Sequence, residues 1–398
     1  MINRQQYLDK LIALKDKQII KAVTGIRRCG KSTLFEIYQD YLLKNGIKKE
    51  QIISINFEDP DFLELSDWKK LYDYINKKLI KSKKNYVFID EVQNVKDFQK
   101  AVDGLFIKKN VDVYITGSNS NLLSGEWATL LSGRYIEISM LPLSFKEYIS
   151  ALTKDYYLPD SYNKYLKNSS FPYTLQLNNN EQIIRDYLRG IYNTIILKDV
   201  VERKKIADVS MLESVIRFMF DNIGNVCSIK KISDTMTSAG RKVSTHTIEN
   251  YLSALSDSYI LYKVGRYDIK GKQYLTTGDK YYLCDVAFRF LILGNKDIDT
   301  GRLLENIVYL ELIRRGYEVY IGKIDNNEVD FITVKDGDTT YFQVAETVKD
   351  KKTLDRELKP LEKIADHNQK FLLTLDNQVP ISHNGIKQLY VLNWLLDI

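Results

Sequence analysis

Ile19-Ile20-Lys21-Ala22-Val23-Thr24-Gly25-Ile26-Arg27-Arg28-Cys29-Gly30-Lys31-Ser32-Thr33 decides how the rest of the chain is read. The short apolar run at its start predicts a buried strand. The run enters a Gly-x-x-x-x-Gly-Lys-Ser loop, and a helical pattern of Leu34, Ile37, Tyr38, Tyr41 and Leu42 follows. Strand, glycine-rich loop and helix in that order form a phosphate-binding loop. Its glycines, Gly25 and Gly30, let the backbone curl until several N–H groups face one anion, and the positive end of the next helix adds to that field. Residues 25–33, Gly25, Ile26, Arg27, Arg28, Cys29, Gly30, Lys31, Ser32 and Thr33, are the expected nucleotide-binding set. Lys31 would reach the β- and γ-phosphates, Ser32 would ligate Mg²⁺, and Thr33 would lie near the α-phosphate. The plain alternative is a glycine-rich turn with an exposed lysine.

Working outward, residues 52–57 read as a second strand, and Leu65, Trp68, Leu71, Tyr72 and Ile75 share one helical stripe. The apolar run Tyr86-Val87-Phe88-Ile89 ends in Asp90-Glu91. Asp90 is expected to hold Mg²⁺ and Glu91 to polarise the attacking water. Another strand, residues 111–116, ends in Gly117-Ser118-Asn119-Ser120, which makes Ser118 and Asn119 candidate sensors of the γ-phosphate. Arg134 is a candidate transition-state cation, in cis or across a subunit boundary. The expected sheet is parallel, with helices on both faces and the site at the carboxyl ends of the strands.

The 398 residues leave room for two or three domains. Charged residues make up 28% of the chain, and no apolar run approaches the roughly 20 residues that cross a bilayer. The expectation is a cytoplasmic protein with no membrane partner. Three dispersed cysteines and three dispersed histidines argue against a disulfide framework and a histidine metal site. Cys29, inside the loop, is a candidate for oxidation, set against the view that this position tolerates many residues. A net charge of +6 permits nucleic-acid binding without demanding it.

The chain resembles the bacterial and archaeal AAA-type ATPases that carry a C-terminal domain of unassigned function. The likeness rests on residues 25–33, on Phe88-Ile89-Asp90-Glu91-Val92-Gln93-Asn94, on residues 116–124, on Leu131-Ser132-Gly133-Arg134-Tyr135, and on residues 141–148, Leu-Pro-Leu-Ser-Phe-Lys-Glu-Tyr. It implies ATP as the nucleotide, a winged-helix segment, and a restriction-endonuclease-like C-terminal domain.

The expected fold class is α/β. It comprises an AAA-type P-loop domain over residues 1–150, a helical linker or lid over 151–207, a winged helix-turn-helix over 208–295 and a small α/β nuclease-like domain over 296–398. Residues 155–180, rich in Tyr and Asn, read as irregular. The third helix of the winged segment, with Ser244 as N-cap, would offer Ser244, Thr245, His246, Thr247 and Asn250 to DNA, and Lys270 and Lys272 would mark the wing tip. In the last domain Glu305 and Asp330 match acids of the nuclease pattern. The third strand, Gln343-Val344-Ala345, lacks the second carboxylate and the lysine, so the domain reads as degenerate. Arg203 is a second arginine that could face a neighbour's nucleotide, as part of a homo-oligomer. The leading reading is a Mg²⁺-dependent ATPase that switches its C-terminal domains. The alternatives are an ATP-gated DNA-binding regulator and a metal-dependent DNA nuclease.

Overall fold

Strand β1 (Ile20–Thr24) is buried along its whole length, as a strand covered on both faces must be. The computed structural model describes residues 2–398 except 121–130, 132, 153–155, 178 and 296–298, together with all side chains but those of 276 and 277. Parts of two resemblance motifs, residues 121–124 and 132, lie outside the described residues. The described chain divides into two units, one of Met1–Pro142 with Asp257–Tyr259, the other of Leu143–Ser256 with Ile260–Ile398.

The first unit holds α1 (Gln5–Ala13), β1, α2 (Lys31–Lys44), β2 (Ile52–Asn56), α3 (Trp68–Lys78), β3 (Asn85–Asp90), α4 (Phe98–Phe106), β4 (Val111–Gly117) and β5 (Tyr135–Ser139). All five strands are parallel, in the order β2-β3-β4-β1-β5. Leu71 and Ile75 of α3 and Val102 and Leu105 of α4 pack on one face, against Val87, Ile89, Val113 and Ile115. On the other face Phe35 and Tyr38 of α2 meet Phe88 and Tyr114, with ring centroids 5.1–6.4 Å apart. Lys21 and Asp112, polar positions inside the apolar runs, form a fully buried ion pair. Asp112 also accepts from the Asp16 N–H at 2.9 Å and the Tyr114 hydroxyl at 2.8 Å, so its lone pairs are met. The unit ends at Pro142 because Ser144 begins a new helix, Phe145–Ser150, through a capping box with Glu147.

In the second unit, helix Leu158–Asn168 replaces the irregular stretch expected there. Pro159 suits a first turn, and Tyr162 and Tyr165 are buried against Phe145 at 5.7 and 5.5 Å. Tertiary packing, invisible in a Tyr- and Asn-rich composition, decides that element. Helix Glu181–Thr194 runs into a π-helical stretch, Ile195–Glu202. Helices Val209–Asp221, Ile229–Ser238 and Thr245–Asp257 precede an antiparallel hairpin of β6 (Leu261–Asp268) and β7 (Gln273–Leu283). Ser244 caps the third of these helices, accepting from the Thr247 N–H at 3.0 Å.

After helix Thr300–Arg314 come β8 (Glu318–Ile324), β9 (Asn327–Lys335), β10 (Asp338–Ala345), helix Lys351–Glu362, β11 (Gln369–Thr374), β12 (Ile381–His383) and β13 (Ile386–Tyr390). These strands and the hairpin form one eight-stranded sheet, β12-β13-β11-β10-β9-β8-β6-β7. The sheet therefore continues across the expected division at 295. Strands β6 and β8 pair from Arg266↔Ile321 to Asp268↔Lys323, which carries a single sheet across it.

Candidate functional site

Register gathers the carboxyl ends of three strands at one edge of the five-stranded sheet. Thr24 pairs with Gly117 and Ile89 with Ile115. The loop after β1, the acids ending β3, and Ser118 and Asn119 beyond β4 therefore meet there. The loop is shaped by its glycines: Gly25 has φ 148°, and a Cβ on it would lie 2.1 Å from the Met140 carbonyl oxygen. Gly30, at φ 104°, turns the chain into α2. Arg28 also takes a left-handed backbone and is exposed, and Arg27 pairs with Glu58 at 2.8 Å. Behind the loop, Arg4 donates to the carbonyls of Cys29 (3.1 Å) and Leu141 (2.5 Å). Cys29 itself is fully buried, and burial pushes its thiol up. That removes the thiolate character an oxidation sensor needs.

Lys31 donates through Nζ to the carbonyls of Gly25 (3.1 Å) and Ile26 (3.3 Å) and lies 3.3 Å from Glu91 Oε1. Burial opposes its charge, but Glu91 foremost outweighs burial and holds its pKa above the ordinary value. The two acids are driven apart. Burial raises the pKa of Asp90 despite hydrogen bonds from Ser32 and Thr116. For Glu91, burial is overcome by Lys31 and then by Gln93, so its carboxylate is held below the usual range. Neighbouring carboxylates with opposed environments suit different tasks. The Asp90–Ser32 contact places a carboxylate and a hydroxyl side by side, an oxygen donor set that fits a hard divalent cation. Among the described residues no group of three or more His, Cys, Asp or Glu could hold a metal ion.

Lys31, Ser32, Asp90 and Glu91 are thus brought together, with Ser118 and the buried Asn119 at the same strand ends. Arg134 is not. Because Ile20 pairs with Tyr135 in parallel register, Arg134 sits at the amino ends of the strands, paired with Asp103. A role in cis is excluded by roughly five residues of strand, at about 3.3 Å each. Two residues escaped sequence reasoning. Thr116 Oγ1 donates to Asp90 and accepts from the Glu91 N–H at 2.8 Å. Gln93 donates to Glu91 and, at 3.3 Å, to Ser118 Oγ. A hydroxyl in an apolar strand and an amide two residues past the acid pair were the available signals.

Three comparisons bear on this geometry. An uncharacterized protein of Haemophilus influenzae is 42% identical, covering 100% of this chain and 99% of its own. An uncharacterized protein of Methanocaldococcus jannaschii is 32% identical, covering 86% and 78%. The chain belongs to the family of these proteins. Residues 17–149 match the family model described as an AAA domain, and residues 159–299 match one described as a domain of unknown function. The Walker-type ATPase of Pyrococcus abyssi superposes with TM-score 0.50 at 14% identity, covering 74% of this chain and 96% of its own, a likeness of fold. This chain therefore carries an AAA-type P-loop domain ahead of a domain of unknown function. Among the described residues no helix is long and apolar enough to cross a membrane.

The second acidic cluster is built differently. Lys280 of β7 bridges Glu305 at 2.8 Å and Glu328 at 2.7 Å, and the Tyr282 hydroxyl donates to Glu305 at 2.5 Å. Asp330 is buried behind them and accepts from the Val344 N–H at 2.8 Å. Burial, then Glu305, pushes its pKa well up. Gln343 turns to Glu357 at 2.8 Å. A lysine thus pairs with Glu305, one of the two acids that the nuclease pattern would commit to a cation, and with Glu328 outside that pattern.

Proposed function

We propose that this chain binds Mg²⁺-ATP in the loop of residues 25–33, hydrolyses it to ADP and phosphate, and passes the nucleotide state to the second unit. One observation carries the reading: Lys31, Ser32, Asp90 and Glu91 converge at the strand ends, with Ser32 against Asp90 and Lys31 against Glu91. Lys31 would leave its loop carbonyls and Glu91 to neutralise the β- and γ-phosphates, which frees Glu91 to take a proton from water. Ser32 and Asp90 would hold Mg²⁺, which supplies charge neutralisation across the β- and γ-oxygens. Asn119 would contact the γ-phosphate from the end of β4. Arg134 could complete the site only from a second copy of the chain. Titration calorimetry tests the core of this: ATP should bind in the presence of Mg²⁺ and at least tenfold more weakly with EDTA. No heat with Mg²⁺ present would remove the reading.

A second reading concerns DNA as the partner of the second unit. Three helices followed by a hairpin support a winged helix-turn-helix over 208–295, and Ser244, Thr245, His246 and Asn250 are exposed at the start of its third helix. Against it, Lys270 at the hairpin tip is paired with Asp325 at 3.0 Å. The nuclease-like reading of 296–398 is kept as a fold without cleavage, since Gln343-Val344-Ala345 lacks the second carboxylate and the lysine, and Lys280 pairs with Glu305. Phosphate contacts would make duplex affinity fall steeply, by about 10³-fold or more for six contacts, between 50 and 200 mM salt. A flat salt dependence, or no binding at low salt, would dismiss DNA.

A further inference from the structure

Gln93 stands out among the groups around the loop because only half of its amide is used. Its Nε2 donates to Glu91 Oε2 and lies 3.3 Å from Ser118 Oγ. Its Oε1 is buried and has no hydrogen-bond donor among the described residues. Turning the amide over would set Oε1 against the Glu91 carboxylate, so Glu91 fixes which end faces it. The carboxylate itself is held firmly. Glu91 sits at φ 53° with its N–H on Thr116, an uncommon backbone that aims the side chain back at the loop. Its Oε1 faces Lys31 at 3.3 Å and its Oε2 faces Gln93. When phosphates draw Lys31 away, Gln93 and Ser118 remain as the hydrogen-bond partners that keep the carboxylate oriented. An acceptor with no donor beside a base is suited to a small donor that arrives with the substrate, and water is that donor.

We propose that Gln93 works with Glu91 on the attacking water: Nε2 holds the carboxylate, and Oε1 accepts one of the water hydrogens. The inference rests on the reading that this site hydrolyses ATP. The water oxygen bonds to the γ-phosphorus while the bond from phosphorus to the β–γ bridging oxygen breaks, and that oxygen leaves with ADP. One water proton passes to Glu91 and from there to solvent. The other stays on the transferred oxygen, held by Gln93 until phosphate forms. Contact with the reacting water makes Gln93 a catalytic residue, and its grip on Glu91 explains why the amide, rather than mere bulk, is needed.

The test compares Gln93→Ala, Gln93→Met and Gln93→Ala on a Glu91→Gln background, in the full chain. Gln93→Ala is expected to lower kcat about 10- to 100-fold, with KM and the calorimetric Kd for Mg²⁺-ATP within about twofold. Gln93→Met keeps the volume without the amide and should be as slow. On the Glu91→Gln background the alanine should cost nothing further, since both act on one water. Unchanged kcat in Gln93→Ala, native kcat in Gln93→Met, or a loss of nucleotide affinity equal to the loss of rate would each overturn the proposal. Native turnover in Glu91→Gln alone would instead strike at the hydrolytic reading beneath it.

Discussion

Glu91→Gln should bind Mg²⁺-ATP within about twofold of the native chain and release phosphate about 10²- to 10⁴-fold more slowly. The substitution preserves shape while removing the proton acceptor. Glu91 is the member of the acid pair held ionised despite burial, by Lys31 and then Gln93, whereas burial pushes Asp90 the other way. Asp90 is also committed to the hydroxyls of Ser32 and Thr116. Binding should survive because the loop amides and Lys31 are untouched. Phosphate release at saturating ATP, paired with calorimetry, measures both halves. Turnover within threefold of native would hand the role of base to another group.

Lys31→Ala should lose both affinity and stability, for separate reasons. A lysine contact to charged phosphate oxygens contributes about 1.5–3 kcal/mol, so Mg²⁺-ATP affinity should fall roughly 10- to 100-fold. Lys31 and Glu91 pair with side chains only 3% and 6% exposed. Removing the cation strands a buried carboxylate, which costs about 3 kcal/mol and should appear as a lower unfolding midpoint before any nucleotide is added. In Glu91→Gln the amide can still accept from Lys31, so that variant should keep more of the midpoint. A Lys31→Ala chain with native affinity would mean that the loop amides bind the phosphates alone.

How much of this was legible in the sequence follows from how local each cause is. The loop, the strands ending at Thr24 and Asp90, and the helix after Lys31 are written in consecutive residues, and they formed where their pattern put them. The acid pair stood out because an apolar run ending in two carboxylates accompanied a phosphate-binding loop. Thr116 and Gln93 were missed because their roles depend on partners reached through register, not through spacing. Arg134 was expected in cis or across a subunit boundary, and nearness in motif order said nothing about which end of β5 it would occupy. In the second unit, β12 and β13 are short and carry His383, Lys387 and Gln388, so no apolar run announced them. The pairing of β6 with β8 joins segments whose own patterns give no hint of each other.

That pairing sets the terms on which the second unit can be taken apart. A fragment spanning 208–295 would carry β6 with its inner rim bare, and exposed backbone of that kind recruits foreign strands and clumps. The complementary piece would lose Lys280 and leave Glu305 and Glu328 facing each other without their counterion. Hairpin and C-terminal strands are thus joined as one block by the ladder between β6 and β8.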